Sequence, residues 1–187
     1  DYEVLAQLGV NHINGYPPGY ADEWSTDVLI RYREKVESYG IKVDMVALPI
    51  GTKPEENLSP NITLGISPDR DREIEVCQNI IRACAESGIP AVKYRLFIIG
   101  ITRTAPRPGR GGAMRSSFQW DEIDQGERPG IWGNVSADEY WERIDYFLER
   151  VVPVAEEYGV KLACHPHDPH TPNGYRGVAR VLGTVDG

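Results

Sequence analysis

Three stretches of this chain repeat one pattern, an amphipathic helix that ends in glycine and is followed by an apolar strand. They read Val36-Glu37-Ser38-Tyr39-Gly40-Ile41-Lys42-Val43, Cys84-Ala85-Glu86-Ser87-Gly88-Ile89-Pro90-Ala91-Val92 and Glu156-Glu157-Tyr158-Gly159-Val160-Lys161-Leu162. Each glycine falls where a helix needs a left-handed residue just past its end. Each following run is β-branched or apolar, as suits a strand buried on both faces. Helix, glycine and strand in repetition are the signature of parallel βα units.

The pattern places strands at about 8–14, 42–49, 91–99 and 160–165. Helices fall at about 23–39, from Ser67-Pro68 to just before Gly88, and from the capping box Ser136-Ala137-Asp138-Glu139 to about Tyr158. Ser67 reads as an N-cap with proline in the first turn. Pro153 predicts a kink in the last helix. Residues 50–66 read as a loop rich in Pro, Asn and Gly, and 100–135 as a long segment rich in Gly, Pro and Arg.

Four parallel strands with crossover helices make half of a (β/α)8 barrel, which typically needs about 250 residues. The chain has 187. The expected fold class is therefore α/β, a partial (β/α)8 TIM barrel of about four βα units, forming a single incomplete domain over 1–187. The chain opens on Asp1 rather than Met, and Arg180–Asp186 reads as the approach to another helix, so a longer parent is expected. The competing fold is a small, open, doubly wound sheet.

Composition narrows the function classes. Hydrophobic residues at 41% and charged residues at 26% fit an ordinary globular protein. The formal net charge of −8 argues against nucleic acid as a partner, which needs a basic face. No apolar run reaches the roughly 18 residues that a membrane span needs, and no signal peptide precedes the first strand. Three cysteines make no disulfide framework, so a reducing cytoplasm is the expected location. Cys77 and Cys84 share a helix face and read as core, while Cys164 is expected on the strand side opposite His165. Self-association is left open.

The chemistry concentrates in Cys164-His165-Pro166-His167-Asp168-Pro169-His170, which follows the last strand and holds three of the four histidines. Ligand-type residues at a strand's carboxyl end suggest an active site on the carboxyl edge of a parallel sheet. Were the strand to stay extended, His165 and His167 would point the same way. Imidazole with carboxylate suits Mn, Fe, Zn or Ni. His165, His167 and Asp168 are the candidate ligands, against the plain alternative of a solvated polar loop. Arg103, closest to the end of the third strand, is the candidate clamp for a substrate carboxylate. Asn14 and His12 on the first strand are candidate polyol contacts. Lys93, Tyr94 and Arg95 are unusual for a buried strand, so at least one is expected to face the barrel interior. Trp24 reads as core or as the wall of a sugar pocket. Gly109-Arg110-Gly111-Gly112 lacks the Gly-Lys-Ser/Thr ending of a P-loop.

The run Leu162–Pro169, with Gly177-Val178-Ala179-Arg180-Val181-Leu182-Gly183-Thr184-Val185-Asp186, resembles the mannonate dehydratase family. Arg103-Thr104 and Gly109-Arg110-Gly111-Gly112-Ala113 are similar to a second region of that family, and the similarity extends over most of the chain. The resemblance implies a (β/α)8 barrel related to xylose-isomerase-like sugar enzymes. It implies conversion of D-mannonate to 2-keto-3-deoxy-D-gluconate and water in hexuronate (glucuronate) catabolism, with Mn2+, Fe2+ or another divalent ion. It maps a metal ligand onto His165. It places the remaining ligands, a Cys, a second His and an Asp, and the acid/base residues on later strands, beyond residue 187. The chain alone is thus expected to be inactive. His167 departs from the family pattern, where many members carry Asp, and this leaves the exact substrate open. The rivals are a sugar isomerase or epimerase on the same barrel and a non-catalytic sugar-acid binding module.

Overall fold

The computed structural model describes residues 1–51 and 59–187. In chain order its principal elements are α1 (Tyr2–Gln7), β1 (His12–Gly15), α2 (Thr26–Glu37), β2 (Lys42–Ala47), α3 (Pro60–Leu64), α4 (Asp69–Ser87), β3 (Ala91–Tyr94), β4 (Thr104–Pro108), β5 (Met114–Ser117), α5 (Ala137–Tyr158) and β6 (Lys161–Cys164). Four strands form one sheet in the order β1-β2-β3-β6, and every pairing is parallel. Gly15, Val46, Val92 and Leu162 are successive neighbours across it. The chain is an α/β protein with a parallel sheet, as the repeated βα pattern predicts.

Helices α2, α4 and α5 cover one face of this sheet and supply its core. Leu29 and Val36 of α2, Cys77, Ile80, Ile81 and Cys84 of α4, and Ile144, Phe147 and Val151 of α5 are buried with Val43, Val46 and Val92 of the strands. The Tyr94 ring meets the Phe147 ring at 5.7 Å, so Tyr94 faces the helices. Strand alternation turns its neighbours Lys93 and Arg95 to the other face. The three pattern glycines do what the sequence requires of them. Gly40, Gly88 and Gly159 have φ of 76°, 76° and 67°. Helix α5 starts in the expected capping box, with Ser136 Oγ accepting from Glu139 N and Glu139 accepting from Ser136 N.

Several boundaries differ from expectation, each for a local reason. Helix α1 precedes the strand expected at 8–14, because Asp1 caps the Glu3 N–H; Leu8 and Gly9, at φ 80°, close its last turn, and the strand itself starts only at His12. The expected loop 50–66 contains helix α3, whose first turn is held by the Glu73 carboxylate, which accepts from Ile62 N at 2.9 Å and from Asn61 Nδ2 at 2.6 Å. Residues 52–58 of that loop lie outside the described residues. Ser67 is not an N-cap: α4 starts after Pro68, and Ser67 Oγ instead accepts from Arg70 Nε at 2.8 Å. β3 ends at Tyr94 rather than near 99, although Leu96–Ile99 stay buried. Helix α5 ends at Tyr158, as expected, with Pro153 inside it on the exposed side. The segment 100–135 is not structureless: β4 and β5 pair antiparallel as a hairpin.

Candidate functional site

The sheet's carboxyl edge carries the histidine motif. β6 ends at Cys164, and His165 N still donates to Tyr94 O at 2.8 Å before the chain turns away. Because the strand stops there, the two imidazoles of His165 and His167 do not stay parallel as an extended strand would keep them. Both meet Phe97, at ring distances of 5.2 and 6.0 Å, but in different surroundings.

His165 is half-buried. Its Nδ1 lies 2.7 Å from the Pro166 carbonyl oxygen. A carbonyl only accepts, so this contact puts the proton on Nδ1 and leaves a lone pair on Nε2, the tautomer that a metal-binding imidazole needs. His167 turns into the core. Its Nε2 is 3.0 Å from Tyr140 Oη, the rings stack at 5.3 Å, and Tyr140 Oη donates to the Leu96 carbonyl. Tyr140 has one proton and gives it to Leu96, so His167 Nε2–H is the donor to Tyr140. Burial, reinforced by the Arg180 charge, holds the His167 pKa down to about 3, so this ring is neutral at pH 7.

Asp168 and Arg103 meet. Arg103 Nη1 and Nη2 donate to the two Asp168 oxygens at 3.0 and 2.6 Å, a bidentate pair. Arg103 Nε donates to Ser116 Oγ of β5 at 3.1 Å, so the guanidinium ties the hairpin to the motif loop. The Arg103 hydrogen bonds hold the Asp168 carboxyl below its ordinary range, against the opposing effect of burial. Under the loop lies buried Arg180, whose Nη2 donates to Pro169 O at 2.8 Å and whose backbone N–H donates to Asn173 Oδ1. Cys164 is exposed and pairs with Tyr94 on the ladder, which puts it on the helix side. Cys77 and Cys84 are buried in the core, as read from the sequence.

A second polar group gathers on the open face. Tyr16 Oη accepts from Lys93 Nζ at 3.3 Å. Burial raises the Tyr16 phenol, but hydrogen bonds from Lys93 and Asn14 and the charges of Lys93 and Arg95 outweigh it, and the pKa falls below the ordinary value of 10. Arg95 Nε donates to Ile50 O at 3.3 Å. Asn14 Oδ1 is buried with no hydrogen-bond partner among the described residues. Lys93 pairs with Ala163 on the ladder, two residues before His165.

His12 is not brought to this edge. It precedes Gly15 by three residues, whereas His165 follows Leu162, on the same level of the sheet, by three. The two therefore lie toward opposite ends of the strands. His12 Nδ1 is bonded to both Asp44 oxygens at 2.9 and 3.0 Å. Trp24 packs partly into the core with its Nε1 on Pro18 O.

Sequence reasoning passed over Tyr140, Phe97 and Arg180 as contributors to this edge. Tyr140 lies at helical spacing with Ile144, Phe147 and Val151 on the buried face of α5, so its hydroxyl leaves no separate mark in the sequence. Arg180 carried a usable signal, a lone charge between Ala179 and Val181 in a buried stretch. For a divalent metal, His165 offers one donor in the right tautomer. Among the described residues no three His, Cys, Asp or Glu side chains converge. The residues present thus suit one ligand position and not a closed set.

This geometry accords with the comparisons. The family model described as D-mannonate dehydratase (UxuA) matches residues 117–187, which include the histidine motif and Arg180. A mannonate dehydratase of Thermotoga petrophila is 28% identical over 191 residues, covering 85% of this chain and 50% of that protein. Mannonate dehydratase 1 of Halalkalibacterium halodurans is 24% identical over 213 residues, covering 93% of this chain and 56% of that protein. The crystal structure of mannonate dehydratase from Streptococcus suis serotype 2 superposes with a TM-score of 0.77 at 27% identity, over 97% of this chain and 51% of that one. The chain spans about half the length of the curated relatives it matches. With its parallel sheet and its histidine motif at the carboxyl edge, it is similar in sequence and fold to about half of a mannonate dehydratase.

Proposed function

We propose that this chain is part of a (β/α)8 hydro-lyase that converts D-mannonate to 2-keto-3-deoxy-D-gluconate and water. The observation that carries this reading is His165, at the carboxyl end of a parallel strand, with Nδ1 fixed on a carbonyl and Nε2 free. In this reading His165 is one ligand of a divalent ion such as Mn2+ or Fe2+. The remaining donors and the acid/base pair lie in the half of the relatives that this chain does not span. When bound, such an ion stabilises negative charge developing beside the substrate carboxylate.

The reaction takes the proton from C2, breaks the C3–O bond and releases that oxygen as water. The resulting C2–C3 enol then gains a proton at C3 to become the 2-keto acid. A general base and a general acid are needed. The groups on this chain bind and shape the site. Asn14 Oδ1, a buried acceptor, takes a substrate hydroxyl. Arg103 and Asp168 tie the hairpin to the motif loop. The Tyr140–His167 stack, neutral and buried, sets the path of the loop that aims His165. His12, paired with Asp44 toward the other end of the sheet, has no part in this step.

The test is to incubate the intact protein with D-mannonate, with and without Mn2+, and to assay the keto-deoxy product. Metal-dependent product is expected, and His165→Ala abolishes it. Isomerised sugar acid without loss of water would move the assignment to an isomerase or epimerase on the same barrel.

A further inference from the structure

β6 ends at Cys164, so the loop that follows His165 is held by contacts of its own. The turn at residues 180–183 supplies several of them. His167 N donates to Leu182 O at 3.1 Å, and His170 Nδ1 lies 3.0 Å from Gly183 O. Gly183 N closes the turn on Arg180 O at 3.1 Å. From the same turn the Arg180 side chain reaches under the loop, where Nη2 donates to Pro169 O at 2.8 Å. Arg180 is itself anchored. Its backbone N–H donates to Asn173 Oδ1 at 2.9 Å, and Ala179 N donates to Val135 O at 3.0 Å, next to the Ser136 cap of α5. Every one of these bonds is made within the chain, and Arg180 is only 7% exposed.

We propose that Arg180 is a positioning residue for His165, acting through the motif loop and not by contact with the metal ion. The proposal rests on the reading of His165 as a metal ligand. The His165 ring is tethered by Nδ1 to Pro166 O at 2.7 Å, within the same loop, so Nε2 points where that loop points. The partner that accepts from a ligating histidine sets both its tautomer and its aim. Here that partner is a loop carbonyl, and the loop is braced three residues further on, at Pro169 O. A cationic donor makes a stronger hydrogen bond than a neutral one, and burial strengthens it further. Without the guanidinium, Pro169 O loses this donor, and the loop is free to shift with Pro166 O. Metal–ligand distances hold to about 0.2 Å, so a small shift of the loop is read as lost metal affinity.

The experiment uses the intact protein, freed of metal, with Mn2+ as the probe. Affinity is read by calorimetry, and stability by unfolding in chelator. Arg180→Met is expected to bind Mn2+ about tenfold more weakly than wild type, the low end of what loss of an outer partner does. Arg180→Lys keeps a cationic donor under the loop and recovers part of that loss. Asn173 is exposed, so Asn173→Ala is expected to fold while it loosens the anchor of Arg180. It should weaken Mn2+ binding by about threefold, the size of one neutral hydrogen bond. Wild-type affinity in Arg180→Met, even with lower stability in chelator, would overturn the positioning role and leave Arg180 as packing. Should Arg180→Met not fold, wild-type affinity in Asn173→Ala would overturn it instead. A lysine variant as weak as the methionine one would overturn the part played by the cationic donor. His165→Asn separates this proposal from the reading beneath it. Affinity lost in His165→Asn but kept in Arg180→Met sinks the positioning role alone. Affinity kept in His165→Asn sinks the ligand reading, and the proposal with it.

Discussion

The two faces of the parallel sheet obey different rules. On the helix-covered face, Val46, Val92 and Tyr94 meet Val36, Ile81 and Phe147 in a continuous apolar core. On the open face, Lys93, Arg95, Asn14 and Tyr16 share a patch in which one acceptor is unsatisfied and two cations have no carboxylate partner among the described residues. Covered residues are fixed by burial, so almost any change there costs stability. Open-face residues are held by a few polar contacts, so changes there should cost little stability. Substitutions made on both faces test that division.

The largest loss of stability is expected at Phe147, which is fully buried between α5 and Tyr94. Phe147→Ala should cost about 3–5 kcal/mol, through lost transfer energy and the cavity left behind. Urea unfolding measures it. A loss under about 1 kcal/mol would mean that the helix face is loosely packed and the contrast between the faces is false.

His167 sits on the covered side despite belonging to the motif, and pH exposes it. Its ordinary pKa of 6.5 applies to the unfolded chain, while burial and Arg180 hold the folded value near 3. Above pH 6.5 both states are neutral there and the histidine contributes no slope. Between pH 6.5 and 3 the unfolded chain takes up a proton that the folded chain refuses, so stability falls as pH falls. From pH 7 to 5 the loss should be about 2 kcal/mol from this group. His167→Gln should flatten that slope. An unchanged slope in the variant would place the titrating group elsewhere.

A smaller effect is expected at Ser136, whose hydroxyl accepts from Glu139 N at 3.2 Å. Ser136→Ala should cost about 1 kcal/mol by freeing that N–H at the start of α5. If Glu139→Gln instead proves the costlier change, the carboxylate's bond to Ser136 N is the main tie.

The same division explains what the sequence made legible. The βα repeat, the glycine stops at 40, 88 and 159 and the Ser136 capping box follow from burial and backbone geometry, which leave periodic marks. The pairing of Arg103 with Asp168, residues far apart in the chain, leaves no mark in either segment, because it depends on where the hairpin β4–β5 folds back. The divergence of His165 from His167 depends on where β6 stops, a boundary that hydrophobic pattern blurs. α1 and α3 were missed because each is a short element made by one side-chain cap, Asp1 on Glu3 N and Glu73 on Ile62 N, rather than by an apolar stripe.

The smallest stability effect is expected at His165, and it is the most informative one. Its ring makes one hydrogen bond, to the neighbouring Pro166 carbonyl, and edges against Phe97 at 5.2 Å. Neither contact reaches deep into the core, so His165→Asn should change unfolding free energy by no more than about 0.5 kcal/mol. Its effect should surface only with metal. A divalent ion that binds the folded state raises the melting temperature by mass action. Mn2+ should therefore shift the intact wild-type protein upward and leave His165→Asn unshifted, while both melt alike in chelator. A variant that is destabilised in chelator would make His165 a packing residue of the loop. A variant that keeps the full Mn2+ shift would move the metal away from this edge of the sheet.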